Sequence, residues 1–167
     1  RNRKGITSMN EVAEKLKLEI ENDFDISLVP SDKLTLVWED CEKHLQKSCK
    51  RSNGRALPQD IFYDCLNQKA SLWIIFDKET LDIFGCAITQ IAIYPTGKKM
   101  LNIDHIGGKK MDEWIDRGLE VINKWAKSNE CVGIEGIGRP GFWNWIKDRK
   151  GWEKTAIFFE YEFKENK

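Results

Sequence analysis

Hydrophobic spacing along this chain switches repeatedly between a period near 3.6 and a period of 2, and the switches predict its elements. Val12, Leu16 and Ile20 recur every fourth residue among Glu and Lys, which predicts a helix over 10–22. Phe24, Ile26 and Leu28 alternate with Asp25 and Ser27, a strand pattern over 23–29 that Pro30 ends. Ser31 or Asp32 can cap a helix over 33–50 with the apolar stripe Leu34, Val37, Trp38, Cys41 and Leu45. Ser52-Asn53-Gly54 breaks that helix. Pro58 opens a shorter one to about 68, with Ile61, Phe62, Cys65 and Leu66 inward. Residues 71–76 are almost all apolar, 77–80 are polar, and 81–94 are strand-like again with Gly85 as a candidate bulge. That predicts a hairpin of 72–76 against 83–91.

The segment from 99 to 163 is the most informative. A strand over 99–106 would place Leu101, Ile103 and His105 on one face and Asn102 and Asp104 on the other. A turn follows at Ile106-Gly107-Gly108-Lys109-Lys110. Trp114, Ile115, Gly118, Leu119, Ile122, Trp125 and Ala126 then keep a helical period over more than three turns. Asp112 and Glu113 near its start and Lys124 and Lys127 near its end suit the helix dipole. A short strand over 131–137, an aromatic helix over 140–147 and a closing strand over 155–163 complete the chain. Beyond the first helix the order is β-α-α-β-β-β-α-β-α-β. It predicts a mixed α/β fold: a tail and helix in 1–22, then one domain over 23–167.

Composition narrows the classes of function. Lys+Arg and Asp+Glu are equal at 27 each, so no global field draws nucleic acid or an anionic membrane. The local basic cluster Lys47, Lys50, Arg51 and Arg55 lacks interleaved aromatics, which makes a nucleic-acid module a poor reading. No apolar run approaches the roughly 20 residues that cross a bilayer. Cys41, Cys49, Cys65, Cys86 and Cys131 are odd in number and contain no CxxC pair. A reducing, cytoplasmic setting is expected from them, with neither a disulfide framework nor a metal site. Cys41 and His44 share a helix face but have no convincing further ligands, and Cys86 and Cys131 read as small core residues.

The chemistry concentrates at the glycine turn. Backbone N–H groups and a helix dipole there can receive a phosphate-bearing ligand; equally, the glycines can serve a tight strand-to-helix turn. Lys109 and Lys110 either pair with phosphates or are solvated surface charges.

This order of elements, with strand, glycine turn, helix and strand at its centre, resembles the GNAT superfamily of N-acetyltransferases. The resemblance covers about 23–163 and is best over 100–125 and 131–152, including Gly151-Trp152 before the last strand. It implies a mostly antiparallel sheet in which one strand splays from its neighbour to admit acyl-CoA. The pyrophosphate would sit on the backbone of 106–111, with Ile103, Ile106, Gly107, Gly108, Lys109, Lys110 and Met111 as cofactor-binding residues. The glycine spacing of His105-Ile106-Gly107-Gly108-Lys109-Lys110-Met111 departs from the family's motif, and 142–149 contains no Tyr to protonate a leaving thiolate. Met111-Asp112-Glu113-Trp114, Lys124-Trp125-Ala126 and Gly138-Arg139-Pro140-Gly141-Phe142-Trp143 also resemble a phage-encoded GNAT-like group, some of whose members are virion proteins.

On that fold Glu135, Asp104 and His105 are the candidate catalytic bases. Glu135 lies in an apolar strand and needs a partner, for which Arg139 is the candidate; otherwise it is catalytic. His105 is a base or a strand histidine packed beside Leu101 and Ile103. Arg139 and Trp143 are further cofactor-binding candidates, the first toward phosphate, a substrate carboxylate or Glu135, the second toward pantetheine or the core. Two functions follow: an acetyl-CoA-dependent N-acetyltransferase acting on an amine, or a non-catalytic GNAT-like protein whose Trp-rich face binds another protein.

Overall fold

The computed structural model describes residues 23–163; the helix expected over 10–22 lies outside them. Five strands form one sheet in the order β1 (Phe24–Val29), β2 (Ser71–Asp77), β3 (Ile83–Ile93), β4 (Lys99–Gly108) and β5 (Gly133–Glu135). The first four are antiparallel to their neighbours, and β5 runs parallel to β4. The helices are α1 (Leu34–Lys50), preceded by a 3-10 turn at Ser31–Lys33, α2 (Pro58–Leu66), α3 (Met111–Ser128) and α4 (Pro140–Ile146). The predicted hairpin is present, with Leu72 opposite Ile88 and Ile75 opposite Gly85.

Strand alternation sends side chains into two cores, one on each sheet face. Trp73, Ile75, Leu101 and Ile103 pack with Trp114, Ile115, Leu119 and Ile122 of α3. Leu72, Cys86 and Ile88 pack with Leu34, Cys41 and Leu45 of α1 and Ile61 and Cys65 of α2. The sheet is therefore the middle of three layers, and its strands read as nearly continuous apolar runs for that reason. All five cysteines are free and buried. Burial pushes the Cys65 thiol up to about 12, so it behaves as a small apolar side chain.

Three elements differ from the sequence pattern. Gly107 and Gly108 are not turn residues: they are the last residues of β4, opposite Cys86 and Gly85. They are glycines because the backbones there are crowded; a Cβ on Gly108 would stand 2.6 Å from the Phe84 carbonyl oxygen. The turn proper is Lys109-Lys110, with Lys110 in the left-handed region at φ 52°. Second, the strand expected over 131–137 is confined to Gly133–Glu135.

Third, the closing strand expected over 155–163 does not form. Glu160 and Glu162 accept hydrogen bonds from Asn53 Nδ2 at 2.8 and 2.7 Å, and Glu160 is also paired with Arg55. These contacts hold the segment on the loop after α1. The apolar, β-favouring side chains Phe159, Tyr161 and Phe163 are left 85%, 83% and 90% exposed. Strand propensity is realised only where a ladder partner is in reach.

Candidate functional site

The site begins where β5 leaves β4. Their register runs Met100 to Gly133, Leu101 to Ile134 and Asn102 to Glu135, and stops there. β4 continues for six more residues paired only to β3. Its other edge over 103–108 carries no ladder to β5, although the chain stays close just beyond it: a Cβ on Gly136 would stand 3.0 Å from the Ile103 carbonyl oxygen.

A bulge sits at the same place. Ile88 faces His105 and Thr89 faces Ile103, so Asp104 is the extra residue. An extra residue reverses the alternation beyond it. Leu101 and Ile103 enter the α3 core, as does Ile106 in part. His105 turns the other way and meets Ser48 of α1, Oγ to Nδ1, at 2.8 Å. The expectation that His105 shares a face with Leu101 and Ile103 is therefore corrected: the bulge, invisible to a period-2 reading, sends it to the α1 side.

The candidate bases converge on that side. Asp104 Oδ1 accepts from Asn102 Nδ2, while its buried Oδ2 has no partner among the described residues. Burial, then the nearby Asp64, push the Asp104 carboxyl up to about 6. Burial holds the His105 imidazole below its ordinary value, which keeps it neutral at pH 7. Glu135 is in register with Asn102, and registered neighbours share a sheet face. Its partner is Tyr94, whose hydroxyl donates to Oε1 at 2.6 Å and is itself harder to ionise for that contact. Among the described residues no ion pair joins Glu135 to Arg139, which is exposed at the start of α4. The pattern of residues had not singled out Ser48, Asn102 or Tyr94; only the alternation of Asn102 with Asp104 gave a signal.

On the ligand side, α3 starts at Met111 with no side-chain cap, so its first N–H groups are available to an anion. Lys109 is exposed. Its carbonyl accepts the Trp114 indole N–H at 2.7 Å, which ties the turn to the helix. Lys110 lies over the rings of Phe84 and Phe24, at 5.3 and 5.7 Å, and 4.0 Å from Glu113. That places its ammonium toward β3 and β1, the side of β4 away from β5. Phe142 and Trp143 pack in part on the α3 core. An open cavity of about 550 Å³ lies nearer β1, β2 and β3, lined by Val29, Cys65, Ser71, Thr89, Gln90 and Trp125 among others. Among the described residues no cluster of three metal-ligating side chains occurs, and His44 is occupied by the Ile83 carbonyl at 3.2 Å. No described helix is long and apolar enough to cross a membrane.

No protein-family model matches the chain, and no curated protein matches it by sequence. Solved structures do match its fold. One is an aminoglycoside acetyltransferase from an uncultured soil metagenomic sample, at 12% identity and TM-score 0.64, covering 87% of this chain and 99% of that one. Another is the ribosomal-protein-alanine N-acetyltransferase of Brucella melitensis biovar Abortus, at 14% identity and TM-score 0.54, covering 82% and 99%. A second soil-metagenome aminoglycoside acetyltransferase matches at 8% identity and TM-score 0.63, covering 84% and 99%. With a fifth strand parallel to the fourth and paired only as far as Asn102, a bulge just beyond and an amphipathic helix following the fourth strand, this chain has the GNAT fold of the acetyltransferases.

Proposed function

We propose that this protein binds acyl-CoA, with acetyl-CoA the simplest case, and transfers the acyl group to an amine. The observation that carries the reading is the end of β4–β5 pairing after Asn102 and Glu135, beside the Asp104 bulge, which leaves the rest of that edge of β4 without a ladder. A free strand edge offers unpaired backbone groups to an extended, amide-bearing ligand arm. The uncapped start of α3 is a seat for the pyrophosphate through the N–H groups of Lys110, Met111 and Asp112, the Lys109 N–H being taken by the Phe84 carbonyl oxygen at 2.7 Å, while the Lys109 side chain adds positive charge. The orphaned Asp104 Oδ2 is what a proton acceptor awaiting a substrate N–H looks like.

Bound acyl-CoA supplies an acyl thioester. The backbone of Ile103, Asp104 and His105 orients and polarises its carbonyl. Asp104 takes the proton of the attacking amine, since its carboxyl at about 6 is ionised at pH 7 yet basic enough to be useful. Glu135, held by Tyr94, is a second carboxylate on the same face and favours a cationic acceptor. Arg139 and Trp143 flank the end of β5, toward phosphate and pantetheine. The acceptors named for the similar structures differ, an aminoglycoside in one and a ribosomal-protein alanine in another, so the class assigned to this chain is an amine.

Calorimetry with acetyl-CoA should give a Kd on the order of 1–100 µM, and a crystal grown with coenzyme A should show it against 103–111. No heat and no rise in melting temperature at millimolar acetyl-CoA would refute the reading. A second reading, a GNAT-like protein of virion or host-interaction type that binds another protein without catalysis, is favoured by the exposed Phe159, Tyr161 and Phe163. Under it acetyl-CoA neither binds nor stabilises.

A further inference from the structure

The α1 helix lies unusually close to β4. A Cβ on Gly107 would stand 3.0 Å from the His44 carbonyl oxygen, so glycine at that position allows the helix to come down onto the strand. One turn further along α1, the short side chain of Ser48 consequently reaches His105. Among the described residues His105 Nδ1 is the only hydrogen-bond partner of the Ser48 hydroxyl, and none of them partners Nε2 of His105. A half-buried hydroxyl with one basic lone pair in reach commits its proton there.

We propose that Ser48 is the positioning residue of the site: it donates to His105 Nδ1 and holds the imidazole neutral, with its N–H on Nε2. Resting on the acyl-transfer reading, this assigns His105 as a hydrogen-bond donor and leaves proton acceptance to Asp104. In the reaction the amine nitrogen forms the new C–N bond and its proton passes to the Asp104 carboxylate. The C–S bond breaks and the sulfur leaves with the electron pair. The His105 Nε2–H hydrogen-bonds the charge that develops, with no proton transfer to it, and the released thiolate takes its proton from water. Burial of His105, which lowers its affinity for a second proton, supports the neutral form.

The chain contains two histidines, so nitrogen NMR of protein labelled with 15N-histidine resolves both rings. His44 is an internal reference, because Nε2 faces a carbonyl and must carry the proton. The expected result at pH 7 is the Nε2–H form for both. In Ser48→Ala the two His105 nitrogens move toward the averaged values of a ring exchanging between tautomers, His44 is unmoved, and Ser48→Thr restores the wild-type signals. Adding acetyl-CoA shifts the His105 Nε2–H resonance and leaves that of His44 in place. An Nδ1–H or doubly protonated His105, or Ser48→Ala spectra identical to wild type, overturns the inference. So does calorimetric binding of acetyl-CoA without a His105 shift, an outcome that spares the acyl-CoA reading; absence of calorimetric binding sinks both.

Discussion

Adding a single methyl group at Gly85 tests whether the glycines around the turn are there for packing. A Cβ on Gly85 would stand 2.7 Å from the Gly107 carbonyl oxygen, and 3.2 Å from both Gly108 Cα and a ring carbon of Trp114. Two of those three atoms are backbone of β4, paired to β3 in the ladder, so no side-chain rotation relieves the clash. Ordinary contact is about 0.7 Å further away, and overpacking of a built core by one carbon costs ~1–3 kcal/mol. With the backbone involved, Gly85→Ala should lose about 2–3 kcal/mol, a drop of roughly 5–10 °C in Tm for a chain of this length. Urea titration followed by tryptophan fluorescence measures it. Gly141→Ala is the control, because nothing lies within 4 Å of a Cβ there; its stability should change by less than ~0.5 kcal/mol or rise. A Gly85→Ala loss below ~0.5 kcal/mol would refute the crowding argument, and with it the reason given for glycine at the end of β4.

Other consequences are open to the same measurements. The Asp104 carboxyl, at about 6 in the folded protein, binds a proton that the unfolded chain releases near ~4. Its contribution to stability is therefore present below pH ~4 and lost as pH rises through about 6. Asp104→Asn should be more stable than wild type at pH 7.5, by ~1 kcal/mol after discounting for the group's partial exposure, and equal to it at pH 3.5; a variant less stable at pH 7.5 contradicts the assignment. The Trp73 indole N–H donates to Thr89 Oγ1 at 2.9 Å in the core, where the residues are 2% and 0% exposed. Trp73→Phe should cost ~2–4 kcal/mol from lost volume and an orphaned hydroxyl, and adding Thr89→Val should recover about 1 kcal/mol of it. If the double variant is no better than the single, the hydroxyl was satisfied elsewhere.

Period and punctuation in the sequence determined most of the segments that become helix and strand within the described residues. α1, α2, the hairpin of β2 and β3, and α3 all stand where apolar spacing and Pro or polar breaks put them, because each buries one face locally. The same spacing, matched to a known order of elements, sufficed for the GNAT fold. Tertiary structure decided the rest. Whether residues 155–163 become a strand depended on a partner that local propensity does not contain, and the carboxylates of Glu160 and Glu162 found Asn53 and Arg55 instead. The side to which His105 turns depended on one extra residue in β4, which only the pairing with β3 exposes. Ser48 and Tyr94 reach the site across 57 and 41 positions of chain. A pattern read along one dimension records what each residue prefers; which distant side chain takes a hydrogen bond is set by how the layers pack.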